Sequence, residues 1–140
     1  MVFMQVSCLS DSSLDTTLSR NGLRVLLVYP NTRDVAMANL GFQKVYSLLN
    51  QIEGVVCDRY ALPLGWKPET EFLKREALRS IDLKMHPLDF DVIAFSISFE
   101  PDYLNAVIAL KYFGIPLDRD KRDASFPMIT AGGSAIFINP

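Results

Sequence analysis

The sequence predicts an α/β domain, a doubly wound parallel sheet with helices on both faces, and three observations carry that expectation. Two short runs, RVLLVY (Arg24–Tyr29) and DVIAFSIS (Asp91–Ser98), are apolar without polar alternation, as strands covered on both faces are. Between and after them the apolar spacing changes to steps of three and four residues, the mark of helices laid against a sheet. The resulting order alternates strand and helix through four strands, and parallel neighbours need such crossovers. Right-handed crossovers then leave few topologies, and the expectation is a flavodoxin-like arrangement with strand order 2-1-3-4.

Each element has its own local reason. The first strand, Arg24 to Tyr29, should end at Pro30 and Asn31. From Val35 to Ile52 the residues Met37, Leu40, Val45, Leu48, Leu49 and Ile52 lay one apolar stripe along a single helix. VVCDRYAL, Val55 to Leu62, reads as the second strand, and Pro68 opens a weaker helical pattern through Phe72, Leu73, Ala77, Leu78 and Ile81. Asp91 to Ser98 is the clearest strand and belongs at the centre, with Val92, Phe95, Val25 and Leu27 in the core. Pro101 suits the first residue of a third helix, and Gly114 with Pro116 supplies its exit. DRDKRD, Asp118 to Asp123, reads as a solvated loop. Met128 to Ala131 makes a fourth strand that stops at Gly132 and Gly133, with no helical pattern after them. An edge strand at that position is open to pairing with a second copy, or to cover by the tail from Ile136 to Pro140.

Composition narrows the class. The chain has 140 residues, 49% hydrophobic and 21% charged, which suits one globular domain over residues 23–140 after a flexible leader of residues 1–22. A formal charge of −2 leaves no basic footprint for nucleic acid. No run approaches the roughly 20 apolar residues that cross a membrane, and the start of the chain is a poor secretion signal. The two cysteines, Cys8 and Cys57, form neither a bridge framework nor a metal knuckle, so a reducing cytoplasm fits.

In a sheet of this order ligands sit beyond the carboxyl ends of strands one and three. Three loops should meet there: Pro30 to Asn39, Ser96 to Glu100, and Gly132 to Ala135. Each is ambiguous alone. A glycine pair after a strand is commonly a tight turn, and Ser96 and Ser98, which alternate on one strand, could bond a ligand or nearby backbone. His86, the only histidine, precedes the third strand at the opposite end of the sheet, where a structural role is expected. Cys57 reads as a small buried apolar residue. No nucleophile–base set, metal cluster or acid pair falls in the crevice, so no catalytic residue is assigned.

Taken together, RVLLVYPNTRDVAMANLGFQKVYSLLN, DFDVIAFSISFEPDYLNAVIALKYFGIPL and FPMITAGGSAIFINP resemble the amino-terminal, cobalamin-binding-like domain of radical SAM (S-adenosylmethionine) proteins. In classical cobalamin domains the first loop carries D-x-H-x-x-G, the third strand S-x-L and the fourth G-G. By that resemblance Asp34, Ala36 and Asn39 stand at the first motif, Ser96 and Ser98 at the second, and Gly132 and Gly133 at the third, with Asn31 and Ser134 beside them. Ala36 replaces the cobalt-binding histidine and Asn39 the glycine. The resemblance therefore implies either cobalamin bound without a histidine ligand, or a domain that keeps the fold and has lost the cofactor; the methyl of Ala36 inclines the chain by itself to the second. It also implies a downstream barrel in cis, whose C-x-x-x-C-x-x-C loop would hold a 4Fe-4S cluster that cleaves S-adenosylmethionine. That loop is not in this chain. A free-standing flavodoxin-like module, binding a nucleotide or flavin or acting only through protein contacts, is the competing reading.

Overall fold

A computed structural model describes residues 22–63 and 78–139. Four parallel strands lie in the order β2-β1-β3-β4: β1 (Leu23–Thr32), β2 (Val55–Leu62), β3 (Val92–Ser96) and β4 (Met128–Gly132). Val25 pairs with Cys57 on one side and Val92 on the other, and Val92 pairs with Met128, so one row of side chains runs across the whole sheet. The two unbroken apolar runs are its central strands, as both-face burial requires.

β1 is longer than its apolar run. It continues through Pro30 and Asn31 to Thr32, which pairs with Leu62 after a register shift. Proline lacks the N–H that a ladder uses, and a local irregularity lets the strand step past it and resume.

The expected long helix is two helices, α1 (Arg33–Ala38) and α2 (Leu40–Leu49), broken at Asn39. Asn39 has φ −83° and ψ 107°, and its side-chain oxygen accepts from the Phe42 N–H, so it caps α2 rather than continuing α1. A single non-helical residue resets the helix phase. Phe42 is therefore buried, with Tyr46 and Leu49 half-buried, while Leu40 (84% exposed), Val45, Leu48 and Ile52 of the expected stripe are exposed.

Helices α1 and α2 cover one face through Val25, Leu27, Tyr29, Ala36, Phe42 and Cys57. Tyr29 meets Phe42 edge-on at 5.3 Å between ring centroids. On the other face α3 (Asp102–Tyr112) packs Ala106 and Ala109, with Phe113 beyond its end, against Leu26, Val28, Tyr60, Ile93, Phe95 and Ile97. Of the four expected core residues, Val25, Leu27 and Phe95 are buried and Val92 is half-buried. Gly114 leaves α3 at φ +76°, the usual glycine exit. Within Asp118 to Asp123, Arg119–Lys121 form a single 3-10 turn on the surface.

The helical pattern expected from Pro68 lies outside the described residues up to Ala77, and Leu78 to Ile81 run as bends. That stretch is tied down by Asp58 of β2, fully buried, whose carboxylate accepts from the N–H groups of Arg59, Asp82 and Leu83. Arg59 forms a two-pronged ion pair with Asp82 and lies over the Tyr46 ring at 4.1 Å. His86 is structural: its Nδ1 accepts from the Leu88 N–H and starts the 3-10 turn Pro87–Asp89, which leads into β3. After the glycine pair the chain does not stop unstructured. A five-residue helix, α4 (Ser134–Ile138), follows and tucks Ala135 against the core on the α3 face. No helix among the described residues is long and apolar enough to cross a membrane.

Candidate ligand crevice

On the α2 face, α2 covers β1 and β2 but leaves β3 and β4 partly open, and a crevice of about 530 Å³ lies between them. Leu27, Ala94 and Thr130, one from each of three neighbouring strands, form its floor, because the sheet register aligns Leu27 with Ala94 and Ala94 with Thr130. Gly41, Phe42 and Val45 of α2 form one wall. The rim holds Asn39, Ser96, Ser98, Gly132, Gly133 and Ser134. None of these lining residues is charged. The crevice therefore suits a group with apolar faces and neutral hydrogen-bonding edges.

The rim is held by a short polar network. The Asn39 amide donates to the Tyr29 hydroxyl at 3.2 Å and to the Ser98 hydroxyl at 3.4 Å, and the Ser134 hydroxyl donates to the Ser98 carbonyl at 3.0 Å. The two glycines have different reasons to be glycine. Gly133 has φ +115°, and a Cβ placed on it would lie 2.3 Å from the Ile97 carbonyl oxygen, so the fold itself requires glycine there. At Gly132 a Cβ would meet nothing within 4 Å, which leaves open space at the rim.

Of the nine residues assigned by resemblance, six come together here: Asn39, Ser96, Ser98, Gly132, Gly133 and Ser134. The other three do not. Asn31 turns to α3, where its amide donates to the Asp102 carboxylate at 3.0 Å. Asp34 is exposed and lines a separate cleft. Ala36 is fully buried beneath α1, its methyl packed with Tyr29 and Phe42. The physical cause is the extension of β1 to Thr32, which carries the first loop past the crevice before the helix begins. Residue reading missed Thr130 and the α2 wall; Thr130 lies two positions before Gly132 on one strand and so shares its face, a signal that was present.

Asp102, at the start of α3, is 2% exposed. Its Oδ1 accepts from Asn31 and Asn105, and its Oδ2 has no partner. Burial raises this carboxyl above the ordinary carboxylate range, and the two amide donors only partly offset it.

Sheet order, crossover helices and a crevice at the point where the winding direction changes define a doubly wound, flavodoxin-like α/β domain. The model of the family described as radical SAM proteins, N-terminal, matches residues 41–140, from the second residue of α2 through α4. The chain belongs to that family. No curated protein and no solved structure gives a significant match.

Proposed function

We propose that the domain serves as the amino-terminal accessory unit of a radical SAM protein, working in cis with a downstream barrel, and that its crevice receives the nucleotide tail of a cobalamin held without a protein ligand to cobalt. The supporting observation is Gly132, whose missing side chain leaves the rim open above an uncharged floor. The cavity volume is within the range of small-molecule sites. Two residues support a cobalt without a protein ligand: Ala36 has only a buried methyl, and His86 is engaged at the other end of β3. The 4Fe-4S cluster and S-adenosylmethionine belong, on this reading, to the downstream barrel, because Cys8 and Cys57 cannot supply a three-cysteine loop. The outer edge of β4 pairs with no other strand among the described residues, and self-association along it is part of the same reading.

A purely contact-making domain is the second reading, favoured by the exposed Leu40, Phe99, Phe137 and Ile138 in the segments that follow β1, β3 and β4. Titration with hydroxocobalamin, followed by the visible spectrum and by calorimetry, separates the two. Binding should persist in His86→Ala and weaken at least about tenfold in Gly132→Leu, which fills the open rim without the backbone conflict present at Gly133. Binding that survives Gly132→Leu but disappears in His86→Ala rules out this site. No binding by the chain or by its full-length parent leaves the contact reading.

A further inference from the structure

A second cleft, of about 670 Å³, opens at the carboxyl ends of β1 and β2 and shares no lining residue with the crevice. Among the described residues three cationic side chains line it, Arg33, Arg79 and Lys84, against one carboxylate, Asp34. In a chain of net charge −2 this is a local excess of positive charge. None of the four forms an ion pair among the described residues, where the pairs are Arg24–Asp91, Arg59–Asp82 and Lys121–Asp118. Nor does Arg33 make a hydrogen bond there, so its guanidinium is free to face a ligand. Arg79 donates to the Lys84 carbonyl at 3.0 Å and Lys84 Nζ to the Ile81 carbonyl at 2.6 Å, contacts that hold both heads in place without neutralising them.

The loop that carries two of these cations is built rather than loose. Lys84 has φ +58°, and it is the one non-glycine residue with positive φ among those described. Such a conformation persists only where its surroundings enforce it, and such positions cluster at binding sites. Here the enforcement is visible: Asp58 accepts from Asp82 and Leu83, Arg59 grips Asp82, and the Ser80 hydroxyl accepts from the Met85 N–H. A buried carboxylate and an ion pair thus pre-set the turn that presents Lys84.

We infer that this cleft is an anion site for the phosphate or pyrophosphate group of a small molecule, whose apolar part rests on Leu62 and Ile81. Two guanidinium groups and an ammonium supply the charge and the hydrogen-bond donors that a doubly charged oxyanion needs. Among the described residues the cleft lining is cationic and aliphatic, which suits recognition of the phosphate itself.

The test is calorimetric titration of the full chain with inorganic pyrophosphate at low salt, with amide chemical-shift mapping. Saturable one-to-one binding is expected, with shifts at Thr32 to Asp34 and Ser80 to Lys84. Arg33→Gln and Lys84→Gln should each weaken it roughly tenfold, the effect of losing one charge-assisted contact. Gly132→Leu should leave pyrophosphate binding unchanged, which separates this inference from the corrinoid reading. Arg33 is exposed and unbonded, so Arg33→Gln reports on binding even if Lys84→Gln disturbs its turn. Absence of saturable binding, affinity unaltered in Arg33→Gln, or shifts confined to other parts of the chain would each overturn the site.

Discussion

Replacing Gly133 with alanine should cost the fold far more than the same change one residue earlier. Gly133 sits at φ +115° and ψ 173°, a region open essentially to glycine alone, and occupying it with an L side chain costs on the order of 1–3 kcal/mol. The added methyl carbon would also lie 2.3 Å from the Ile97 oxygen and 2.8 Å from its carbonyl carbon. Because both atoms belong to the backbone beyond β3, relief requires the β4–α4 turn to move away. That movement weakens the bonds from Ile97 N to Gly132 O (2.7 Å) and from Ala135 N to Ile97 O (3.2 Å), each contributing about 0.5–1.5 kcal/mol. The total is about 2–6 kcal/mol, a fall of roughly 8–25 °C in the thermal midpoint for a domain of this size. Gly132→Ala meets open space in an extended strand and should leave the protein as stable as the parent or more stable by about 0.4–1 kcal/mol. Urea and thermal unfolding followed by circular dichroism measure both variants. Equal losses in the two, or a Gly133→Ala protein within about 1 kcal/mol of the parent, would refute the reasoning.

Three other outcomes follow from the same structure. Asp102 has its carboxyl raised by burial, so the folded state binds that proton more tightly than the unfolded chain; this part of the stability is present at acid pH and is lost as pH rises from the ordinary aspartate value through the raised one. Asp102→Asn should therefore be at least as stable as the parent at neutral pH and show a flatter stability–pH profile, and a variant that loses stability at neutral pH while keeping the parent's slope contradicts this. Burial, reinforced by the Asp58 charge, pushes the Cys57 thiol up to about 12, so peptide mapping after iodoacetamide should find Cys57 unlabelled in the native chain and labelled in urea; fast native labelling would count against it. If β4 pairs with a second copy, amide exchange at Met128 to Thr130 slows and the scattering mass rises as concentration increases, whereas a constant monomer mass with unchanged exchange removes self-pairing.

The sheet was legible because burial on both faces writes itself directly into composition: a strand covered above and below has no reason to alternate. β2 begins and ends where its sequence run does, at Val55 and Leu62. The first helical segment was not legible in phase. Periodicity over Val35 to Ile52 assumes one continuous helix, and the side chain of Asn39 competes with that helix for the Phe42 N–H. Every apolar position after the break is then rotated by the missing step. α4 was illegible for a different reason. Five residues rich in isoleucine and phenylalanine carry little helix propensity, and the turn exists through contacts distant in sequence, Ala135 in the core and the Tyr103 hydroxyl donating to the Asn139 carbonyl at 2.6 Å.

The same distinction governs the site. Ser96, Ser98 and the glycine pair could be placed because topology alone decides where strands three and four end. Asn31, Asp34 and Ala36 could not, since motif spacing counts residues while the crevice depends on where β1 releases the chain, and β1 runs on to Thr32. Gly132 and Gly133 show the limit most sharply, because a sequence presents them as one motif of two equal letters. The backbone separates them: Gly133 is glycine because Ile97 leaves no room, and that would hold in a domain that binds nothing. Gly132 has room that the fold does not use. Only Gly132 can therefore report on a ligand, and a substitution there, rather than at its neighbour, tests function without first breaking the fold.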